Sequence, residues 1–122
     1  MTKRRKQIVV IGLGHFGREL ALSLGRGCEV LAIDSDPENV NHISDHVQSA
    51  RTLDVTDESA LSSVIPDGVD EAIVSMGGNL EGSILCTLYL KRLGVPVIRV
   101  KALTDDHAVV LQQVGATEVI FP

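Results

Sequence analysis

Aromatic side chains are nearly absent from this sequence. One tyrosine, two phenylalanines and no tryptophan in 122 residues leave the interior to aliphatic side chains. Cysteine is equally scarce. Cys28 and Cys86 are too few to form a disulfide framework, and each sits in an apolar stretch where it reads as a small core residue. No apolar run approaches the roughly 20 residues of a membrane span, and the basic start is too short and too polar for a signal peptide. Four of the eleven basic residues are Lys3, Arg4, Arg5 and Lys6, so residues 7–122 hold seven basic side chains against sixteen acidic ones. A body of that sign lacks the basic footprint that a nucleic-acid backbone requires. Repeats, low-complexity tracts and linkers are missing as well. These absences point to one soluble cytoplasmic domain without direct membrane insertion, long enough to bury about two-thirds of its unfolded surface without disulfides or metals.

What is present is a regular alternation of strand and helix signals. Gln7–Ile11 is a β-branched run ended by glycine, as in a strand buried on both faces. A helical pattern through Phe16, Leu20 and Leu24 closes near Gly25 and Gly27. A second strand over residues 29–33 ends at Asp34, and Ser35 or Asp36 then caps a helix whose first position is Pro37. Residues 46–53 predict a weaker third strand, followed by a helix capped by Thr56. Residues 72–75 predict the fourth strand, and Asn79 caps a long helix that ends at Gly94. Val97–Lys101 is the fifth strand. Thr104 opens another helix with Asp105 and Asp106 in its first turn, and residues 118–121 form a sixth strand. Such alternation demands a parallel sheet with right-handed crossovers. The predicted fold is therefore α/β, a Rossmann-like doubly wound six-stranded sheet in the order 3-2-1-4-5-6 with helices on both faces.

The chemistry concentrates in one loop. Gly12, Gly14 and Gly17 form G-x-G-x-x-G between a buried strand and a helix, where the helix N-terminus presents free N–H groups to an anion. Asp34 lies 20 residues beyond Gly14 at the end of the second strand, where a carboxylate accepts both ribose hydroxyls and repels a 2′-phosphate. A reading in which Gly12 and Gly17 serve only packing and Asp34 only a turn leaves the joint occurrence of all four unexplained. Two further loops flank the same crevice. Asp54, Val55 and Thr56 follow the third strand and can border an adenine, while Met76, Gly77 and Gly78 follow the fourth and allow close approach.

Other polar residues carry less. His42 and His46 have the i, i+4 spacing of a metal pair on a helix, yet no third ligand converges, so no metal site is expected. Ser75 lies outside any G-x-S-x-G, and no catalytic residue is identified. A dehydrogenase also needs a second domain or long loops for its substrate, and this chain spends nearly every residue on the nucleotide fold. Hence the expectation is a binding protein, not an enzyme. The alternative is the NAD-binding half of an oxidoreductase cut from a longer chain. The helices beginning at Asn79 and Thr104 are apolar nearly all round, which predicts a self-complementary dimer patch.

Five segments carry a family resemblance: IVVIGLGHFG, LAIDSDPENV, LDVTDESAL, AIVSMGGNLEGSI and the VIRVKALTDDHAVVLQQVGATEVIFP ending. Together they resemble the N-terminal domain of the regulator of K+ conductance (RCK) family, of the TrkA and KtrA type, over essentially residues 1–122. The resemblance implies a cytoplasmic gating subunit of a membrane-embedded K+ uptake channel or transporter, peripheral to the inner face of the cell membrane. It further implies binding of NAD(H) or of ATP and ADP, but not NADP, and assembly as a homodimer and, in full-length context, an octameric ring. Carried over by position, the phosphate loop comprises Gly12, Leu13, Gly14, His15, Phe16 and Gly17. Asp34 holds the ribose with Ser35 beside it, and Asp54, Val55 and Thr56 border the adenine. Gly77 and Lys101 lie at the crevice edge, Lys101 as a phosphate partner. Many members carry arginine where this chain has the shorter His15. Members also continue into a crossover helix and a small C-terminal domain, so this chain is expected to be truncated before them.

Overall fold

In the computed structural model, which describes residues 4–121, six parallel strands form one sheet in the order β3-β2-β1-β4-β5-β6. The strands are β1 (Gln7–Ile11), β2 (Glu29–Asp34), β3 (Ser49–Thr52), β4 (Glu71–Val74), β5 (Val97–Lys101) and β6 (Glu118–Ile120). Between them run α1 (His15–Leu24), α2 (Pro37–Ile43), α3 (Glu58–Val64), α4 (Leu80–Arg92) and α5 (Asp105–Val114). The predicted topology is the observed one. β1 is central because Ile8, Val9, Val10 and Ile11 have no polar face to turn to water, and all four are buried.

Side chains alternate across the sheet and build two cores. Ile8, Val10, Val30, Ala32 and Ile73 face Ala21 of α1 and Val40 and Ile43 of α2. Val9, Ile11, Ile33, Val74, Ile98 and Val100 face Leu61 of α3, Cys86 and Leu90 of α4, and Leu111 of α5. Both layers are aliphatic, as the shortage of aromatics requires.

Four sequence expectations are corrected. The third strand begins at Ser49, because Ser44–His46 form a 3-10 turn and β3 is a short edge strand. The same turn separates His46 from α2, which ends at Ile43, so His42 and His46 do not share a helix. The sixth strand stops at Ile120. Thr56 is not the cap of α3: Asp57 is, its carboxylate accepting from Ala60 N–H at 3.1 Å.

Two polar clusters, each built on a buried residue, were not foreseen from the sequence. Glu71, only 3% exposed, opens β4 with its carboxylate 2.7 Å from Arg99 Nη1 and 3.6 Å from Lys6 Nζ, and Arg99 Nε reaches Glu118 at 3.0 Å. A buried acid is tolerable only with such partners. On the other face, His107 of α5 joins α4. Its Nδ1 accepts from Leu103 N–H at 3.1 Å, which leaves Nε2–H to donate to Ser83 Oγ at 2.8 Å, while Ser83 Oγ–H donates to Leu80 C=O at 2.9 Å. That tautomer makes the histidine a donor to Ser83, so the pair is a strut between helices and not a nucleophile with its base.

Candidate functional site

The order of the sheet reverses at β1, with β2 and β3 on one side and β4 to β6 on the other, and the loops leaving β1 and β4 part there. A crevice of about 650 Å³ opens at this switch point, beyond the carboxyl ends of the strands. Gly12 and Gly14 form its floor with Ile11. Asp34, Ser35, Asp54, Val55 and Thr56 line one end, and Ser75, Met76, Gly77 and Asn79 line the other.

The three loop glycines do different work. A Cβ on Gly12, whose φ is +90°, would stand 1.9 Å from the Ser75 carbonyl oxygen. A Cβ on Gly17 would stand 1.8 Å from the Gly12 oxygen. Both glycines are therefore demanded by packing alone. Gly14 is different: no heavy atom lies within 4 Å of the Cβ position, and its φ of −67° suits any residue. The space beside Gly14 is open to a ligand.

Helix α1 is also the one α-helix among the described residues without a side-chain cap. Asp36, Asp57, Asn79 and Thr104 cap the other four, whereas Gly14 offers none to α1 and no acid stands in its first turn. The N–H groups of Gly14, His15, Phe16 and Gly17 have no acceptor among the described residues. Unsatisfied donors and the positive end of the helix dipole thus converge on the open space, an arrangement suited to a phosphate.

Asp34 faces the same space and is already engaged with the loop. Its Oδ2 accepts from Leu13 N–H at 2.7 Å and, at 3.4 Å, from the Asn39 amide, while Oδ1 accepts from Asp36 N–H at 2.8 Å. Oδ2 thus takes two donors and Oδ1 one, which leaves a lone pair on Oδ1 for a hydroxyl donor. Asp54 accepts from the Thr56 hydroxyl at 2.6 Å and from Thr56 N–H at 2.9 Å. The hydroxyl bond foremost, then the backbone one, holds its carboxyl below the usual carboxylate range. This end of the crevice therefore carries fixed negative charge, which disfavours a phosphate group there.

Of the residues expected at the site, Gly12, Gly14, Asp34, Ser35, Asp54, Val55, Thr56 and Gly77 come together in the crevice wall. Five others do not line it. Leu13 turns its side chain into the core and contributes its N–H to Asp34. Gly17 is buried beneath Gly12, and His15 and Phe16 are exposed on the first turn of α1. Lys101 lies at the end of β5 with its ammonium 5.5 Å from the centre of the Phe16 ring. Ile11 and Ser75 complete the wall without any motif to announce them. They are last-strand residues of β1 and the position after β4, and only the pairing of those two strands brings them side by side. Among the described residues, no three His, Cys, Asp or Glu side chains cluster as metal ligands, and no helix is long and apolar enough to cross a membrane.

The TrkA-N domain family matches residues 8–122. Ktr system potassium uptake protein C of Bacillus subtilis is 42% identical over 119 residues, covering 97% of this chain and 54% of that protein. Ktr system potassium uptake protein A of Vibrio alginolyticus is 36% identical over 118 residues, with 96% and 54% covered. The chain thus spans about half the length of the curated relatives it matches. Among solved structures, the NAD(P)-binding domain of an exopolyphosphatase-related protein from Archaeoglobus fulgidus is 25% identical with a TM-score of 0.83, covering 96% of this chain and 88% of that one. The GsuK channel bound to NAD shares the fold at a TM-score of 0.79 and 16% identity, covering 97% and 21%.

Proposed function

This chain belongs to the TrkA-N domain family, and from that premise we propose that it is the nucleotide-sensing domain of a regulatory subunit that gates a membrane-embedded K+ channel or transporter. The observation that carries the reading is the uncapped N-terminus of α1, whose free N–H groups face an open space at Gly14 within reach of the Asp34 carboxylate. The ligand is an adenine nucleotide, NAD(H) or ATP and ADP. NADP is disfavoured because Asp34 and the ionised Asp54 occupy the end of the crevice where a 2′-phosphate would lie.

The chain has no reaction to perform in this reading. Ligand exchange instead biases the geometry of paired domains, by no more than the difference in affinity for the two arrangements. Exposed Leu80 and Leu93 of the α4 segment, with Leu103, Val109 and Val110 beside or on α5, supply an apolar face for a homodimer. In the longer protein such dimers assemble into a ring on the cytoplasmic side of the membrane partner.

Calorimetric titration with NAD+, NADH, ATP, ADP and NADPH tests the site. Micromolar binding of at least one ligand with a free ribose 2′-hydroxyl is expected, with NADPH weaker. Asp34→Ala should weaken binding roughly 10- to 100-fold, the worth of hydrogen bonds to a charged group. No binding by any of the five, or undiminished binding by the variant, overturns the reading.

A further inference from the structure

The connection from α3 to β4 bends through Pro66, Asp67 and Gly68, at the end of the sheet opposite the crevice. Asp67 and Gly68 form the one place in the sequence where glycine follows an aspartate or an asparagine. We propose that Asp67 is a modification site, where the carboxyl group of the folded protein closes onto the Gly68 nitrogen as a succinimide that reopens to isoaspartate. The isoaspartyl carboxylate is then an acceptor for a methyl group from S-adenosylmethionine.

Ring closure needs no co-reactant. The Gly68 nitrogen attacks Cγ of the protonated Asp67 carboxyl group. The N–Cγ bond forms, the C–OH bond breaks, and the amide proton leaves with the hydroxyl as water. Water then opens the ring at either carbonyl. Cleavage at Cγ restores aspartate, whereas cleavage at the main-chain carbonyl leaves the chain running through Cγ, longer by one methylene.

The structure leaves the reacting atoms free. Asp67 and Gly68 are both exposed, and the Asp67 carboxylate has no hydrogen bond or ion pair among the described residues. The Gly68 N–H likewise has no acceptor among them. Gly68 has a φ of +85°, and no heavy atom beyond its chain neighbours lies within 4 Å of its Cβ position, so nothing shields the nitrogen. Other aspartates are held. Asp34, Asp54 and Asp70 commit their carboxylates to backbone N–H groups, and Asp105 and Asp106 sit in the first turn of α5.

The added methylene acts three residues further on. Asp70 ties this connection to β1, its Oδ2 accepting from Gln7 N–H at 2.8 Å and its own N–H donating to Gln7 C=O at 2.9 Å. Lengthening the chain ahead of that clamp displaces it, so the isoaspartyl form is the less stable one.

The test holds the purified chain in mildly acidic buffer below its thermal midpoint. Peptide mapping, and methyl incorporation from S-adenosylmethionine by an isoaspartyl methyltransferase, follow it over time. The peptide containing Asp67 and Gly68 should shift in retention at unchanged mass, through a form one water lighter, while methyl incorporation rises in parallel. An exposed loop opens locally with little free-energy cost, so the native rate should lie within about ten-fold of that in the urea-denatured chain. Asp67→Glu would have to close a larger ring, and it should lose the signal while keeping the thermal midpoint. At neutral pH, Asp67→Asn should reach the same succinimide faster, with loss of ammonia. Protection of the native chain by about 100-fold or more, isoaspartate arising first at another aspartate, or undiminished methylation in Asp67→Glu overturns the proposal. An unchanged thermal midpoint in fully converted wild type overturns the coupling to Asp70.

Discussion

Replacing Gly14 by alanine separates the two jobs that a glycine triplet can hold. At Gly12 a methyl group meets the Ser75 carbonyl at 1.9 Å on a backbone with positive φ, and at Gly17 it meets the Gly12 carbonyl at 1.8 Å. Left-handed backbone strain of roughly 1–2 kcal/mol and overpacking of roughly 1–3 kcal/mol apply at Gly12, and at least the second applies at Gly17. Those two substitutions should lower stability by several kcal/mol whether or not a ligand exists. Gly14 has an ordinary φ and nothing within 4 Å, so alanine is accommodated. Stiffening the unfolded chain adds about 0.4–1 kcal/mol, and losing a glycine at the N-cap removes a similar amount. The unliganded thermal midpoint should therefore move by only a few degrees. The methyl group, however, fills the approach to the free N–H groups of α1. Loss of one or two hydrogen bonds to a charged phosphate, at about 1.5–3 kcal/mol each, corresponds to roughly a 10- to 10⁴-fold weaker complex. Thermal melts and calorimetry with NAD+ and ADP read both quantities on the same samples. Wild-type affinity in Gly14→Ala, or unfolding comparable to Gly12→Ala, refutes the reasoning.

His107 should make stability fall in mild acid. Burial holds its imidazole below the ordinary value of 6.5, so the unfolded chain takes up a proton that the folded chain refuses. The neutral ring's contribution is complete above pH 6.5 and is lost as pH drops below it toward the folded value, by at most about 1.4 kcal/mol per pH unit. Melts at about pH 7.5 and 5.5 should differ more for the wild type than for His107→Gln, and equal differences refute the assignment. The apolar face gives a separate expectation. Val109 is 55% exposed, so Val109→Asp should leave the fold intact and convert a homodimer to a monomer by light scattering, whereas a monomeric wild type at high micromolar concentration dismisses the interface.

Most of the fold was legible because the central strands are buried on both faces and four of the five α-helices carry side-chain caps. The bounds of β3 were not, since only Ala50 of its four residues turns inward and an edge strand leaves little hydrophobic trace. Thr56 and Asp57 are both competent caps in sequence, and only backbone geometry separates them. The glycine loop and Asp34 announced one end of the crevice through spacing. Ser75 could not be read that way, because strand pairing and not a local pattern places it at Gly12. Ser83 and His107 are 24 residues apart. A histidine in one apolar helix and a serine in another were the available hint, and they became a contact only when α4 met α5.

The bond from Leu13 N–H to Asp34 gives the acid a role before any ligand arrives. A loop of three glycines is costly to order, since each glycine surrenders more backbone freedom than any other residue. Here that ordering is completed during folding, by a carboxylate that spans from the second strand to the first turn. A nucleotide then meets a rigid cradle, and the entropy of arranging it is not charged against binding. The same carboxylate ties the loop after β2 to the glycine loop through one 2.7 Å bond, so the two walls of the crevice are ordered together.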